Sequence, residues 1–205
     1  MPVYSRAIIN NMIFSVITII LSALVFAACH SLLACLNIKD IAYRHNISPR
    51  RYRLIYVIIA ILLSSIWLAY IHQLPDQSLY SIQGTGQWLC YGTQALGILL
   101  FYASLQPIDT PAFLGLRNFS TDREPFIEQG IYRYIRHPMY SSIILLMIAM
   151  PRQSINSLTL YLLIGIYFII GSRWEEQRMI NEHPEYIDYR NRVPAFIPVR
   201  RRKLS

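Results

Sequence analysis

Charge is scarce in this sequence. Only 15% of its 205 residues are charged, while 54% are hydrophobic; a soluble domain carries about 25% charged residues. That balance excludes an ordinary water-soluble globule. Cysteine is nearly absent. Cys29, Cys35 and Cys90 lie in or beside apolar runs, without metal-ligand spacing. Neither a disulfide framework nor a thiolate metal site is expected, and the three read as small buried hydrophobes. A Gly-x-Gly-x-x-Gly following a strand is missing, and Gly84-Thr-Gly86 stands between two apolar runs. The nucleotide-binding loop of soluble α/β enzymes is therefore excluded. No recognition-helix or RNA-binding signature accompanies the basic residues, so no nucleic-acid partner is expected. Internal repeats and low-complexity tracts are also lacking.

What the sequence does have is apolar blocks. The first runs over Ala7–Leu36, with Met12–Ala28 almost wholly apolar. Leu54–Ile71, Trp88–Leu105 and Ile155–Gly171 follow. Each suits a membrane helix, which needs roughly 17–25 residues. Another block, Met139–Met150, is shorter and bracketed by Pro138 and Pro151; it suits a tilted or re-entrant segment as readily as a span. The expectation is one all-α integral membrane domain over residues 1–205, with about five membrane helices, the last two forming a hairpin. Residues 106–138 and 172–205 are expected to form the site on one side. Phe26-Ala-Ala-Cys29 faintly resembles a lipoprotein cleavage box, but four more apolar blocks follow and the leading positive charge is thin, so a membrane segment is expected there.

Base is distributed as topology demands. Lys39, Arg44, Arg50, Arg51 and Arg53 lie in the first loop; Arg117, Arg123, Arg133 and Arg136 lie in the third. The tail carries Arg173, Arg178, Arg190, Arg192, Arg200, Arg201, Arg202 and Lys203, leaving only Arg6 and Arg152 for the other side. The positive-inside rule then makes the rich side cytoplasmic and the N-terminus external, as in a bacterial inner-membrane protein. The net charge of +8 is thus a membrane signal, with the Arg200–Lys203 run expected against anionic lipid.

Chemistry concentrates around the hairpin. Gly130-Ile-Tyr-Arg-Tyr-Ile-Arg-His-Pro-Met-Tyr140 precedes it and Arg173-Trp-Glu-Glu176 follows it. Ionisable groups at a membrane boundary are costly and need partners. Gly130 permits close backbone approach. Tyr132, Tyr134 and Tyr140 offer flat faces with polar tips, and His137 can donate or accept a hydrogen bond. Pro138 fits the first turn of a helix. Adjacent Glu175 and Glu176 must point to different sides of a helix: one suits an ion pair with Arg173 or a neighbour, the other a ligand diol. The bland reading is an aromatic, basic interface anchor and a solvated helix exit. Elsewhere the bland readings are stronger. Tyr52 and Tyr56 share a helix face and suit an aromatic belt. His30 suits a packed, hydrogen-bonded position. The loop over Phe113–Ile127 reads as a connector or a lid. Beyond His183-Pro184, the sequence reads as a short aromatic helix with Tyr186 and Tyr189 on one wall, then an extended end.

At these residues the sequence resembles the isoprenylcysteine carboxyl methyltransferase family. The resembling elements are Gly130-Ile-Tyr132, Arg136-His-Pro-Met-Tyr140, Glu175-Glu176 and Glu185-Tyr186 with Tyr189 and Arg192-Val-Pro194. Upstream, His30-Ser-Leu-Leu-Ala34, Tyr52-Arg-Leu-Ile-Tyr56 and Phe113–Asn118 look like a bacterial branch with NnrU-like and methanethiol S-methyltransferase-like members. One departure is His183-Pro184, where that family has a Phe-Gly before Glu-x-Tyr. The resemblance implies S-adenosyl-L-methionine as cofactor and a small or lipophilic methyl acceptor, a thiol or a carboxylate, arriving beside membrane lipid. It implies cofactor contacts at Pro125, Phe126, Ile127, Tyr132, His137, Pro138, Met139 and Tyr140 and at one of Glu175 and Glu176, with Glu175 the first choice. It places Arg173 on the acceptor side with Tyr140 as the catalytic pair, and it requires no metal. Tyrosine faces suit a sulfonium cation, with an attraction of about 0.5–2 kcal/mol. The competing expectation is a non-enzymatic haem-binding or assembly protein using His30, His72 or His137.

Overall fold

The computed structural model describes residues 2–118 and 125–199, without the side chains of 2–5, 36 and 37. The Phe119–Glu124 stretch, with Arg123, and the basic run Arg200–Lys203 lie outside the described residues. Helices dominate. In chain order they are α1 Pro2–Ala34, α2 Leu36–Arg44, α3 Pro49–His72, α4 Thr85–Leu105, α5 Thr110–Phe113, α6 Pro138–Ile148, α7 Ile155–Glu182 and α8 Tyr186–Arg192, with one 3₁₀ turn at Gly130–Arg133. Two short strands, β1 Ser78–Ser81 and β2 Arg152–Ser154, pair antiparallel with Ser81 opposite Arg152.

Four helices, α1, α3, α4 and α7, are long and apolar enough to cross a membrane, and α6 is a shorter apolar helix. The chain is an all-α integral membrane protein. Eleven residues give α6 about 16 Å of length, half the hydrocarbon thickness. The large apolar side chains of the spans face outward: Phe14, Leu21, Leu24, Ile61, Ile66, Leu99 and Leu162 are all exposed. In water such surface would be an aggregation hazard; in lipid it is the expected solvent contact. Within each helix the backbone satisfies its own hydrogen bonds, as hydrocarbon requires.

Several boundaries differ from the sequence expectation. Part of the first loop is helical, as α2. Helix α7 continues past the apolar block's end at Gly171 to Glu182, so Arg173–Glu176 lie within it. β2 separates α6 from α7 inside the expected hairpin.

The chain divides into two compact units. The first comprises Met1–Ser81, Thr110–Asn118 and Arg152–Ile164; the second comprises Ile82–Asp109, Phe119–Pro151 and Gly165–Ser205. In the first unit, Ile19, Ile71 and Leu160 form a small core, with Trp67, Leu74 and Tyr161 against it. Ser48 starts α3 by accepting a hydrogen bond from Arg51 N at 3.4 Å, with Pro49 at the first helical position. His30 is a packed residue: its Nε2 lies 2.9 Å from the Tyr56 hydroxyl, and its ring stacks on Phe26. Tyr52 donates to Leu33 O at 2.6 Å. In the second unit α4 packs against α6 at Gly97, where an added Cβ would lie 2.9 Å from Leu146 Cγ and 3.3 Å from Ser142 O. Small residues at membrane helix contacts permit this approach.

Gly115 closes the turn after α5 with φ +76, and a Cβ there would meet Leu54 N at 2.5 Å and Arg50 O at 3.0 Å. Both the left-handed backbone and the α3 main chain exclude a side chain. Gly115→Ala is expected to cost about 1–3 kcal/mol and lower the thermal midpoint in detergent. Gly171→Ala, where a Cβ meets nothing within 4 Å, is expected to leave that midpoint unchanged or raised.

Candidate functional site

The second unit gathers its ionisable residues around one carboxylate. Pro138 opens α6 and leaves Arg136 and His137 in the connection just before it. From there both side chains reach Glu176 on α7. Arg136 Nε and Nη2 donate to Glu176 Oε1 at 2.8 and 2.7 Å, and His137 Nε2 lies 2.9 Å from the same oxygen. That oxygen only accepts, so His137 Nε2 carries the proton. Arg190 Nε approaches Glu176 Oε2 at 3.3 Å. Arg136, His137 and Glu176 are each buried, at 8%, 5% and 6% exposure.

The chain after α8 closes over this cluster. Arg136 N donates to Pro194 O and His137 N to Ala195 O, both at 2.9 Å. Arg136 Nη1 donates to Arg190 O at 3.0 Å and also to Val193 O. Ser141 Oγ donates to Phe196 O at 2.7 Å. Beneath, α8 buries Tyr186 and Tyr189, three apart on one helix face, and with Val193 just past its end they pack against Phe126, Met179 and Ile180. Tyr189 donates its hydroxyl to Tyr132 O at 2.7 Å.

The two adjacent acids part company. Glu176 is the buried hub, whereas the Glu175 side chain is 42% exposed. Tyr140 donates its hydroxyl to Glu175 Oε2 at 3.1 Å. The Tyr140 ring is sandwiched: His137 stacks on it at 5.5 Å and 14°, and Phe168 at 4.6 Å and 15°. Its faces are thus occupied, and its hydroxyl and edge are what it presents to a ligand.

Burial, with the Glu175 charge adding to it, pushes the Tyr132 phenol up to about 12. Tyr186 and Tyr189 are pushed up as well, chiefly by burial, with Glu176 next for Tyr186 and Tyr186 next for Tyr189. All three remain neutral phenols at physiological pH and cannot serve as bases.

Of the residues expected at the site, Tyr132, His137, Pro138, Tyr140, Glu175, Glu176 and Phe126 are brought together by these contacts. Met139 is half-buried in the first turn of α6, and Ile127 is half-buried next to Phe126; Pro125 is exposed. Arg173 is not brought in. It is exposed, and at 3.6 residues per turn it sits about 200° around α7 from Glu175. The pairing cations are Arg136 and Arg190. Arg190 was missed as a site residue, although the Tyr186 and Tyr189 pair fixes which side of α8 faces inward. Phe168, hidden inside an apolar run, carried no distinguishing signal.

The fit to a sulfonium nucleoside rests on Glu175. A half-exposed carboxylate, bonded by the Tyr140 hydroxyl, with His137 Nδ1 at 3.9 Å and buried aromatic surface beside it, matches both a cation and a ribose diol.

A buried charge cluster at the end of an apolar helix, strapped by an extended C-terminal segment, defines a membrane protein with a built polar site. Residues 18–192 match the family described as NnrU protein, and the chain belongs to that family. Among curated proteins it is similar to methanethiol S-methyltransferase 2 of Bradyrhizobium diazoefficiens, 29% identical over 127 residues, covering 58% of this chain and 49% of that protein. Methanethiol S-methyltransferase of Crocosphaera subtropica is 29% identical over 121 residues, 55% of this chain and 48% of that protein. The enzyme of the same name from Pseudomonas deceptionensis is 32% identical over 73 residues, 35% and 28% of the two chains. The chain spans about half the length of the first two relatives. No solved structure matches it significantly.

Removing the hub strands buried charge. Glu176→Ala leaves Arg136 buried without its carboxylate, a loss of about 3–5 kcal/mol. Thermal unfolding in detergent is expected to show a large drop in midpoint, and limited proteolysis to cut first after α8. A midpoint equal to wild type would remove Glu176 from the structural role.

Proposed function

We propose that the chain is a membrane-embedded methyltransferase domain that uses S-adenosylmethionine and methylates a small thiol or a lipophilic acceptor. The carrying observation is the separation of the two acids: Glu176 is consumed by Arg136, His137 and Arg190, while Glu175 stays half-exposed beside Tyr140. The names of the matched relatives, each a methanethiol S-methyltransferase, favour methyl transfer and, among acceptors, a small thiol.

The cofactor supplies an activated methyl group on a sulfonium centre. Glu175 is the residue to hold its cation or its ribose diol. Tyr140 fixes the Glu175 carboxylate, and the His137–Tyr140–Phe168 stack fixes Tyr140. Phe126, Ile127, Tyr132 and Met139 provide apolar surface for a heterocycle, with Pro125 and Pro138 setting the backbone beside them. Positioning and exclusion of water are the main contributions of such a site. Arg173 is not retained as an acceptor-side residue, because it sits on the far side of α7 from Glu175.

The basic asymmetry further supports an orientation with the N-terminus outside and the cluster on the cytoplasmic side. Single cysteines at positions 76 and 192, in a background cleared of the native cysteines, test it. Impermeant maleimide on intact cells is expected to label 76 and spare 192; labelling of both or the reverse pattern overturns the orientation.

Calorimetry with S-adenosylmethionine and S-adenosylhomocysteine tests the function. Both are expected to bind the folded protein. Glu175→Gln is expected to weaken binding about ten-fold or more, the value of one charge-assisted hydrogen bond, with the thermal midpoint preserved. Absence of binding at millimolar ligand, or binding indifferent to Glu175, overturns the reading.

A further inference from the structure

The first unit contains an open pocket of about 420 Å³ with a mixed apolar and polar lining, and it shares no residue with the Arg136–Glu176 cluster. It is formed where α3 ends and α7 begins, the point at which two membrane spans terminate. Its lining includes the apolar Leu68, Ile71 and Leu160 and the polar His72, Asp76, Arg152 and Asn156. Its volume falls within the usual range for small-ligand sites, about 300–1,000 Å³.

Asn156 is the informative residue. It is 3% exposed, and its Nδ2 donates to Pro75 O at 3.0 Å. Its Oδ1 is buried and, among the described residues, has no hydrogen-bond partner. A buried acceptor left unpaired is unfavourable, so this oxygen asks for a donor. Beside it, Asp76 Oδ1 accepts from Asn156 N at 3.0 Å and Gln77 N at 2.8 Å. Asp76 is exposed, and among the described residues no salt bridge to it is found, so its carboxylate is open to a cation. Arg152, exposed on β2, supplies a cation to the same lining. The cavity therefore presents an acceptor and an anion for an N–H cation, a guanidinium for an anion, and apolar lining at the end of two spans.

We propose that this cavity binds the phosphoethanolamine group of an aminophospholipid. The primary ammonium donates to Asn156 Oδ1 and faces Asp76. The phosphate faces Arg152, and the first acyl carbons lie along Leu68, Ile71 and Leu160. A choline head group meets the charges but has no N–H to donate, so it leaves Asn156 Oδ1 unpaired. The proposal is independent of the methyl-transfer reading, because the two sites have no residue in common.

Native mass spectrometry of the full chain, released from nanodiscs containing equal phosphatidylethanolamine and phosphatidylcholine, tests it. The expected result is one retained phosphatidylethanolamine in preference to phosphatidylcholine. Asp76→Asn keeps the Oδ1 acceptor for Asn156 N and removes the charge; Arg152→Gln removes the guanidinium. Each is expected to lower retention about three- to five-fold, as suits partly exposed ion pairs, without changing the thermal midpoint. Soluble phosphoethanolamine at millimolar concentration is expected not to displace the lipid. Its displacement of the lipid at micromolar concentration would overturn the lipid as the source of the group. Equal retention of the two lipids, or no retained lipid, which leaves only water on Asn156, overturns the proposal on wild-type protein alone.

Discussion

One carboxylate organises the polar half of the second unit. Glu176 accepts from Arg136 and His137 through Oε1 and faces Arg190 through Oε2. Isolated in an apolar surrounding, that charge would be strongly unfavourable; with three partners it is compensated. The partners come from the connection before α6 and from α8, so the same compensation fixes the entry of one helix, the end of another and the C-terminal strap. Backbone pairing of Arg136 with Pro194 and of His137 with Ala195 repeats the constraint without charge.

The hub also explains why Glu175 is left over. Adjacent helical positions diverge by about 100°, so seating Glu176 in the cluster turns Glu175 toward Tyr140 and the solvent side. Tyr140 is in turn immobilised between His137 and Phe168. The phenols of Tyr132, Tyr186 and Tyr189, held neutral by burial, serve as walls, and Tyr189 also donates to Tyr132 O. Such a scaffold suits chemistry that depends on orientation more than on proton transfer.

Hydropathy made the membrane helices legible, because a span has to be apolar for long enough to cross lipid. Leu54–Ile71 and Trp88–Leu105 fall inside α3 and α4. The Arg136–Tyr140 and Glu175-Glu176 motifs meet in the second unit, as charge beside an apolar run needs a partner. The partners themselves were not legible. Arg173, two residues from Glu175, looked close in sequence but is turned away by the helix, whereas Arg136 and Arg190 reach Glu176 through tertiary contact. The β1–β2 pair was missed because strands of four and three residues carry too little pattern. The apolar block was read only to Gly171, because hydropathy marks the membrane part of α7 and not its polar turns, while His183-Pro184 marks where the helix stops.

The account is tested most directly by methyl transfer itself. Protein in nanodiscs is incubated with S-adenosylmethionine labelled in its methyl group and a panel of small thiols, and the label is followed by mass spectrometry. The account predicts labelled thioether from at least one thiol, at a rate lowered by Glu175→Gln and unaffected by Arg173→Gln. Label that never leaves the donor with any thiol or lipophilic carboxylate, in protein that is folded and binds S-adenosylhomocysteine, would contradict it.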